Sequence, residues 1–244
     1  MQFLGIIPAR YKSSRFPGKP LAKIAGKSMI ERVYHQALKS ATLEAVVVAT
    51  DDLMIYDHCV NAGIEVVMTS SDHQSGTDRV AEVARDRDAA IVVNIQGDEP
   101  FIPPAYIDKL CLQFSDPKVE IGTLVCPISD TNEFRQPQIV KAVCRQDGRA
   151  LYFSRAPIPH QQNVEYAMPF YRHLGIYAFR KDILLKLGAL SRGRLEQCES
   201  LEQLRWLEKG YDIMTSQVSE APIGVDLPGD IEKLEKWMER QSLD

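Results

Sequence analysis

The stretch Phe3-Leu4-Gly5-Ile6-Ile7-Pro8-Ala9-Arg10-Tyr11-Lys12-Ser13-Ser14-Arg15-Phe16-Pro17-Gly18-Lys19 changes character near its middle. The apolar run Phe3–Ile7 reads as a buried strand. Pro8–Lys19 then carries Arg10, Lys12, Arg15 and Lys19. No acidic residue precedes Glu31, although the whole chain has a formal net charge of −4, so the positive charge is concentrated locally. A cationic loop leaving a first strand suits a polyanion, most simply a triphosphate. Arg10, Arg15 and Lys19 are read as its ligands, and Lys12, Lys23 and Lys27 as solvated surface lysines. No Gly-x-x-x-x-Gly-Lys-Ser/Thr and no Gly-x-Gly-x-x-Gly is present. Side-chain cations must therefore carry more of the phosphate binding than backbone N–H groups.

Outward from this loop the pattern alternates. Ser28-Met29-Ile30-Glu31 is a capping box, and the helix after it sets Ile30, Val33, Ala37 and Leu38 on one face. Ala45–Thr50 is a second buried strand ending at Asp51-Asp52. A helix to about Ala62 is closed by Gly63, and Ile64–Met68 is a third strand. This β-α-β-α-β order with continuous apolar strands predicts an α/β fold: a Rossmann-like, mostly parallel central sheet with helices on both faces. Ligands of such sheets gather at the carboxyl ends of the strands. The Pro8 loop, the Asp51 end and the segment after Met68 are thus expected at one crevice. In that last segment Ser75 or Thr77 caps a helix, leaving His73 and Gln74 as hydrogen-bonding groups at the crevice mouth. A fourth strand, Ala90–Gln96, runs into Gln96-Gly97-Asp98-Glu99-Pro100. Here an aspartate follows a buried strand, beside a glycine that permits close backbone approach; the structural alternative is a turn residue.

Pro103 starts a further helix, and Ile121–Ile128 is another strand. The alternation then breaks. Gln138–Arg145, the Asp147-Gly148 turn and Arg149–Ser154 form a hairpin, Ala156–Pro169 is a loop, and Arg172–Phe179 is a strand. About residues 136–180 are read as an antiparallel insertion, closing the crevice or forming a subunit contact. Two helices follow, the second over about Cys198–Lys209 with Leu201, Leu204 and Leu207 inward. Tyr211–Val218 is a last strand. Gly224-Val225-Asp226 precedes a C-terminal helix with Ile231, Leu234 and Met238 as its apolar stripe. Asp226 is either that helix's cap or a ligand.

The 244 residues, 45% apolar and 25% charged, carry no internal repeat or long linker, which suits a single domain over residues 1–244. The acidic balance argues against nucleic-acid binding, and no window nears the roughly 20 apolar residues of a membrane span. The N-terminus lacks the pattern of a signal peptide. Five cysteines without Cys-x-x-Cys predict reduced thiols in a cytoplasmic protein, with Cys126 and Cys144 in the core. The histidines show no zinc spacing, and no Gly-x-Ser-x-Gly marks a serine hydrolase. Loop cations together with Asp98 and Asp226 predict Mg²⁺-assisted chemistry on phosphate.

Read together, Pro8–Lys19 with Pro20-Leu21, His73-Gln-Ser-Gly-Thr-Asp-Arg79, Gln96-Gly-Asp-Glu-Pro100, Tyr152-Phe-Ser-Arg155, Arg172-His-Leu-Gly-Ile-Tyr177, Leu201-Glu-Gln-Leu-Arg205 and Gly224-Val-Asp226 resemble the 3-deoxy-manno-octulosonate cytidylyltransferases. The matches are in order and span nearly the whole chain. The resemblance implies transfer of CMP from CTP to the anomeric hydroxyl of 3-deoxy-D-manno-octulosonate (Kdo), giving CMP-Kdo and pyrophosphate for lipopolysaccharide biosynthesis, with no protein nucleophile. It implies that Arg10, Arg15 and Lys19 bind the triphosphate, that Asp98 and Asp226 hold Mg²⁺, and that Gln74, Ser75, Gln96 and Gly97 meet the nucleotide. Arg10, Lys19, Asp98 and Asp226 would then be catalytic. Gln96, Arg155, His173, Tyr177, Glu202 and Gln203 would face the sugar, with Arg155 on its carboxylate. Plain structural readings stand beside these: Tyr177 as core, Glu202 as a solvated helix residue, Arg155 as a structural ion pair. The resemblance also implies a homodimer. The 8-amino Kdo analogue, another sugar acid, or a silent nucleotide-binding regulator are the alternatives.

Overall fold

The computed structural model of the chain describes residues 2–12, 16–163, 165–166 and 168–241. Arg15 lies outside the described residues. The fold is α/β, with mostly parallel strands, helices around them and an antiparallel hairpin, as the alternation predicts. The chain divides into two compact units, residues 1–108 with 222–244, and residues 109–221.

The first unit begins with β1 (Phe3–Ala9), a small ribbon of β2 (Lys23–Ile24) and β3 (Lys27–Ser28), and α1 (Met29–Ala37). It continues through β4 (Ala45–Thr50), α2 (Leu53–Asn61), β5 (Val66–Met68), α3 (Gly76–Arg85) and β6 (Ile91–Asn94). The strand order is β5-β4-β1-β6, all parallel. Ile6, Ile7, Val47, Val48, Val92 and Val93 are all fully buried, so adjacent residues, pointing to opposite faces, are both covered. Each such side chain contributes roughly 1.5–3 kcal/mol on burial. Ser28 makes the expected capping box with Glu31. Ile30, Val33 and Ala37 are buried, but Leu38 is half exposed and Tyr34 takes its place. Leu38 is the C-cap, where the helical direction ends. Gly63 adopts φ 68° after α2, a conformation that favours glycine.

After α4 (Pro104–Leu112) the second unit supplies β7 (Ile121–Ile128), α5 (Thr131–Arg135), β8 (Lys141–Cys144), β9 (Ala150–Ser154) and β10 (Phe170–Arg180). Then come α6 (Lys181–Gly188), α7 (Arg194–Glu199), α8 (Gln203–Glu208) and β11 (Ile213–Gln217). Here β11 pairs parallel with β7, while β7–β10, β10–β8 and the β8–β9 hairpin are antiparallel. The single helix expected over Cys198–Lys209 is two helices. Ser200 adopts the left-handed conformation at φ 52°, ψ 48°, which stops α7. In consequence Arg205 and Trp206 turn inward with Leu204, and Leu207 is only partly covered.

The chain ends in α9 (Gly229–Gln241) of the first unit, with Leu234 and Met238 buried. The five cysteines are free. Burial pushes the Cys59 and Cys126 thiols up to about 11, whereas Cys144 is only half-buried. No helix among the described residues is long and apolar enough to cross a membrane.

Candidate active site

The register fixes where the loops leave the sheet. Ala9 lies opposite Thr50, and Thr50 opposite Met68. Arg10, Asp51 and Thr69 therefore step off one carboxyl edge, the edge where ligands of parallel sheets bind. The cationic loop returns towards this edge through Gly18, whose N–H donates to the Tyr11 carbonyl at 2.8 Å. Lys19 Nζ then donates to Asp98 Oδ2 at 2.7 Å and to the Val225 carbonyl at 3.0 Å. The Val225 N–H donates to the Asp98 carbonyl at 2.9 Å. One lysine thus ties the loop after β1, the loop after β6 and the segment before α9. At Gly97 a Cβ would sit 3.1 Å from the Pro8 carbonyl oxygen, so a larger residue would push these loops apart.

The loops enclose a cavity of about 440 Å³ lined by Arg10, Lys12, Lys19, Gln96, Gly97 and Asp98, among others. Three cations and one carboxylate in so small a volume suit a polyanion that brings a cation with it. The Lys19–Asp98 pair is partly exposed, at 16% and 35%, and such pairs contribute little to stability. Its value lies in holding both groups in place at the cavity. Lys12, read from sequence as a plain surface lysine, is exposed but at the cavity wall.

The segment after β5 is bracketed by α3. Arg79, fully buried, pairs with Asp51 at 3.0 Å and donates to Thr69 Oγ1 and the Ser70 carbonyl. Glu82 accepts from the Ser70 N–H at 3.0 Å and bonds to His73. Burial would raise the Glu82 carboxyl, but His73, the Ser70 N–H and Arg79 outweigh it and hold it below its usual range. His73 thus fastens the segment. Its neighbour Gln74 offers its carbonyl to Arg10 Nη1 at 3.4 Å and turns its amide to the Asp72 carbonyl. The Ser75 hydroxyl caps α3, accepting from the Asp78 N–H at 3.1 Å, with Asp78 completing a capping box.

Asp226 is exposed beside buried Val225. Its backbone N–H, and that of Leu227, donate to Asp230 Oδ2 at 3.1 and 2.9 Å. Asp230 is the residue sequence reasoning missed here, because a carboxylate fastening backbone four residues earlier has no motif. Among the described residues no three His, Cys, Asp or Glu side chains are arranged to hold a metal alone. Two carboxylates on adjoining segments fit Mg²⁺ even so, since that ion commonly takes one or two carboxylates and completes its shell with phosphates and water.

The second unit holds the other candidates. Arg155 Nε, Nη1 and Nη2 donate to the carbonyls of Glu199, Pro137 and Ser200. Three of its five N–H groups are thus committed to its own chain, and they anchor the left-handed Ser200. Glu199, also unforeseen, accepts from Ser154 Oγ and from the Arg155 N–H. Lys141, fully buried, donates to the carbonyls of Gln136, Ile139 and Arg155. His173 and Tyr177 lie with ring centroids 5.3 Å apart, and Trp206 meets Tyr177 edge-on at 5.0 Å. Gln203 is buried, and Glu202 is 3.6 Å from Arg205.

Comparison with known proteins agrees with these features. A family model described as cytidylyltransferase matches residues 4–213. A 3-deoxy-manno-octulosonate cytidylyltransferase of Syntrophotalea carbinolica is 47% identical, covering 96% of this chain and 98% of its own. One of Leptospira interrogans serovar Lai is also 47% identical, over 97% and 98%. A solved CMP:2-keto-3-deoxy-manno-octonic acid synthetase complexed with CTP superposes with a TM-score of 0.94 at 42% identity, over 99% and 100%. Strand-end cations around Asp98, in a chain matched end to end at these identities, place this protein in the 3-deoxy-manno-octulosonate cytidylyltransferase family of nucleotidyltransferases.

Proposed function

We propose that this protein transfers CMP from CTP to the anomeric hydroxyl of Kdo, releasing pyrophosphate and supplying CMP-Kdo for lipopolysaccharide assembly. The observation that carries the reading is the Lys19–Asp98 contact inside a cationic cavity of about 440 Å³. It joins a phosphate-binding cation to a carboxylate suited to a hard metal ion.

The reaction is a displacement at phosphorus. The anomeric hydroxyl of Kdo gives up its proton to water, its oxygen forms a bond to the α-phosphorus, the bond from that phosphorus to the β-bridging oxygen breaks, and pyrophosphate leaves with the electron pair. Arg10 and Lys19, which line the cavity, would bind the triphosphate and meet charge that gathers on it in the transition state. Arg15 joins them by resemblance. Asp98 and Asp226 would hold Mg²⁺, which when bound neutralises phosphate charge and lowers the pKa of the attacking hydroxyl. Gln96 and Gly97 line the same cavity. Gln74 contributes through the carbonyl that orients Arg10, and Ser75 through the start of α3. In the second unit His173, Tyr177, Glu202 and Gln203 supply neutral and acidic groups for a hydroxyl-rich acid, and Arg155 retains two N–H groups for its carboxylate. The insertion is the proposed homodimer contact. It is supported by β9, which among the described residues of its unit pairs only with β8 and exposes Leu151, an edge of the kind that seeks cover. Free cysteines and a nucleotide substrate support a cytoplasmic site of action.

Pyrophosphate release tests the reading. It is expected only with CTP, Mg²⁺ and Kdo together. Equal rates with UTP, N-acetylneuraminate or the 8-amino Kdo analogue would overturn the substrate assignment. Asp98→Asn is expected to lower kcat about 10²–10³-fold, the range for losing one transition-state electrostatic group, with an unchanged melting profile.

A further inference from the structure

The β7–β10 ladder slips between Leu174 and Tyr177, forming a bulge beside two candidate sugar-binding residues. Bulges re-aim side chains and interrupt pairing. Here the bulge carbonyls of Leu174 and Ile176 face one hydroxyl, Thr123 Oγ1, at 3.1 and 2.8 Å. The third neighbour of that oxygen is His173 Nε2, at 3.1 Å. Thr123 is fully buried, so no water competes for these positions.

A threonine hydroxyl has one proton and two lone pairs. Facing two carbonyl oxygens, it must direct its proton to them, since a lone pair there would meet theirs. Only a lone pair is left for Nε2, so Nε2 must carry a hydrogen. The imidazole is neutral: burial, with Arg172 adding to it, depresses its pKa to about 3. A neutral imidazole has a single N–H, so Nδ1 is a bare acceptor. Among the described residues nothing hydrogen-bonds to it. The Tyr177 ring lies beside the imidazole, 5.3 Å between centroids, and its hydroxyl is buried and has no partner among the described residues. Burial and the nearby Glu202 raise that phenol well above its usual value, so it stays protonated. A buried phenol donor without a partner, on a ring beside a half-buried imidazole with a free acceptor, suits a ligand that offers both; a sugar hydroxyl does so and a carboxylate does not.

We infer that Thr123 is a positioning residue which locks His173 as the Nε2–H tautomer, and that His173 Nδ1 receives a hydroxyl of the sugar acid, leaving the carboxylate to other groups. The hydrogen on Nε2 follows from the geometry alone, the bare Nδ1 follows from it together with the neutral ring, and the hydroxyl assignment rests on the proposed function.

The test is long-range ¹H–¹⁵N correlation on histidine-labelled full-length protein at neutral pH, with the His173 signal assigned through His173→Gln. Wild type is expected to show the Nε2–H pattern. Thr123→Val should shift His173 towards the other tautomer, and Thr123→Ser should restore it. Thr123→Val should also raise KM for Kdo about tenfold, the loss of one hydrogen bond, with kcat and KM for CTP within about twofold of wild type, and Thr123→Ser should reverse this. An Nδ1–H pattern in wild type overturns the inference whether or not the valine variant folds. So does a Thr123→Val spectrum identical to wild type. An imidazolium pattern on saturation with Kdo would mean carboxylate pairing and would overturn the hydroxyl assignment. The predicted tautomer without any turnover of Kdo would instead sink the proposed function and leave the role of Thr123 standing.

Discussion

Lys19 makes two contacts that belong to different tasks. Its bond to Asp98 places charge at the cavity, and its bond to the Val225 carbonyl ties the segment before α9. Lys19→Met removes both, and kcat/KM for CTP is expected to fall about 10²–10³-fold, as for loss of a preorganised electrostatic group. Lys19→Arg should recover only part, because a planar fork does not replace a point charge. Lys12 lines the cavity but is exposed, so Lys12→Ala should raise KM for CTP roughly three- to tenfold and leave kcat unchanged, an effect that shrinks at high salt. Steady-state kinetics at two ionic strengths separate the two lysines. Arg10, Lys19 and Asp98 were legible in the sequence because charge at a strand end is unusual and has few structural uses. Thr123, Glu199 and Asp230 were not, because each serves a neighbouring backbone group or side chain that only the folded chain brings near.

The elements were legible where local chemistry decides them. Ser28 with Glu31, Gly63 after α2 and Gly148 in the hairpin turn all act within a few residues of themselves. The break between α7 and α8 was not, because Ser200 is held left-handed by Arg155, 45 positions away. A non-glycine residue in that conformation costs roughly 1–2 kcal/mol, and glycine loses roughly 0.5–1 kcal/mol of chain entropy instead. Ser200→Gly is therefore expected to stabilise the protein by about 0.5 kcal/mol in urea titrations. The Arg155 contact is to a backbone carbonyl and survives the change, so KM for Kdo should not move. Destabilisation would show that the serine side chain has a role of its own.

Across the whole molecule, pH is where the partly buried titratable groups add up. His173 titrates at about 3 when folded, against 6.5 ordinarily. Between those values the unfolded chain takes up a proton that the folded chain refuses. The stability from His173 is thus complete above about pH 6.5 and drains as pH falls, levelling off below about 3. One such proton amounts to at most about 1.4 kcal/mol per pH unit. Four carboxylates of the first unit, Glu31, Glu82, Asp108 and Asp230, are also held below their usual range, burial opposing and hydrogen bonds prevailing. Their contribution has the same sign but is lost only as pH falls below about 4.5. The window between about pH 6.5 and 5 therefore separates His173 from these carboxylates, and the comparison with His173→Gln separates it from the other histidines. Urea unfolding can be followed there by Trp206, buried against Tyr177 and Phe179, in a Trp237→Phe background. Stability is expected to decline from pH 7 to 5 in that protein and to decline less steeply, by up to about one proton, once His173→Gln is added. Parallel slopes would mean that His173 takes up its proton in the folded state, and with it the argument for a neutral acceptor at the sugar would fall.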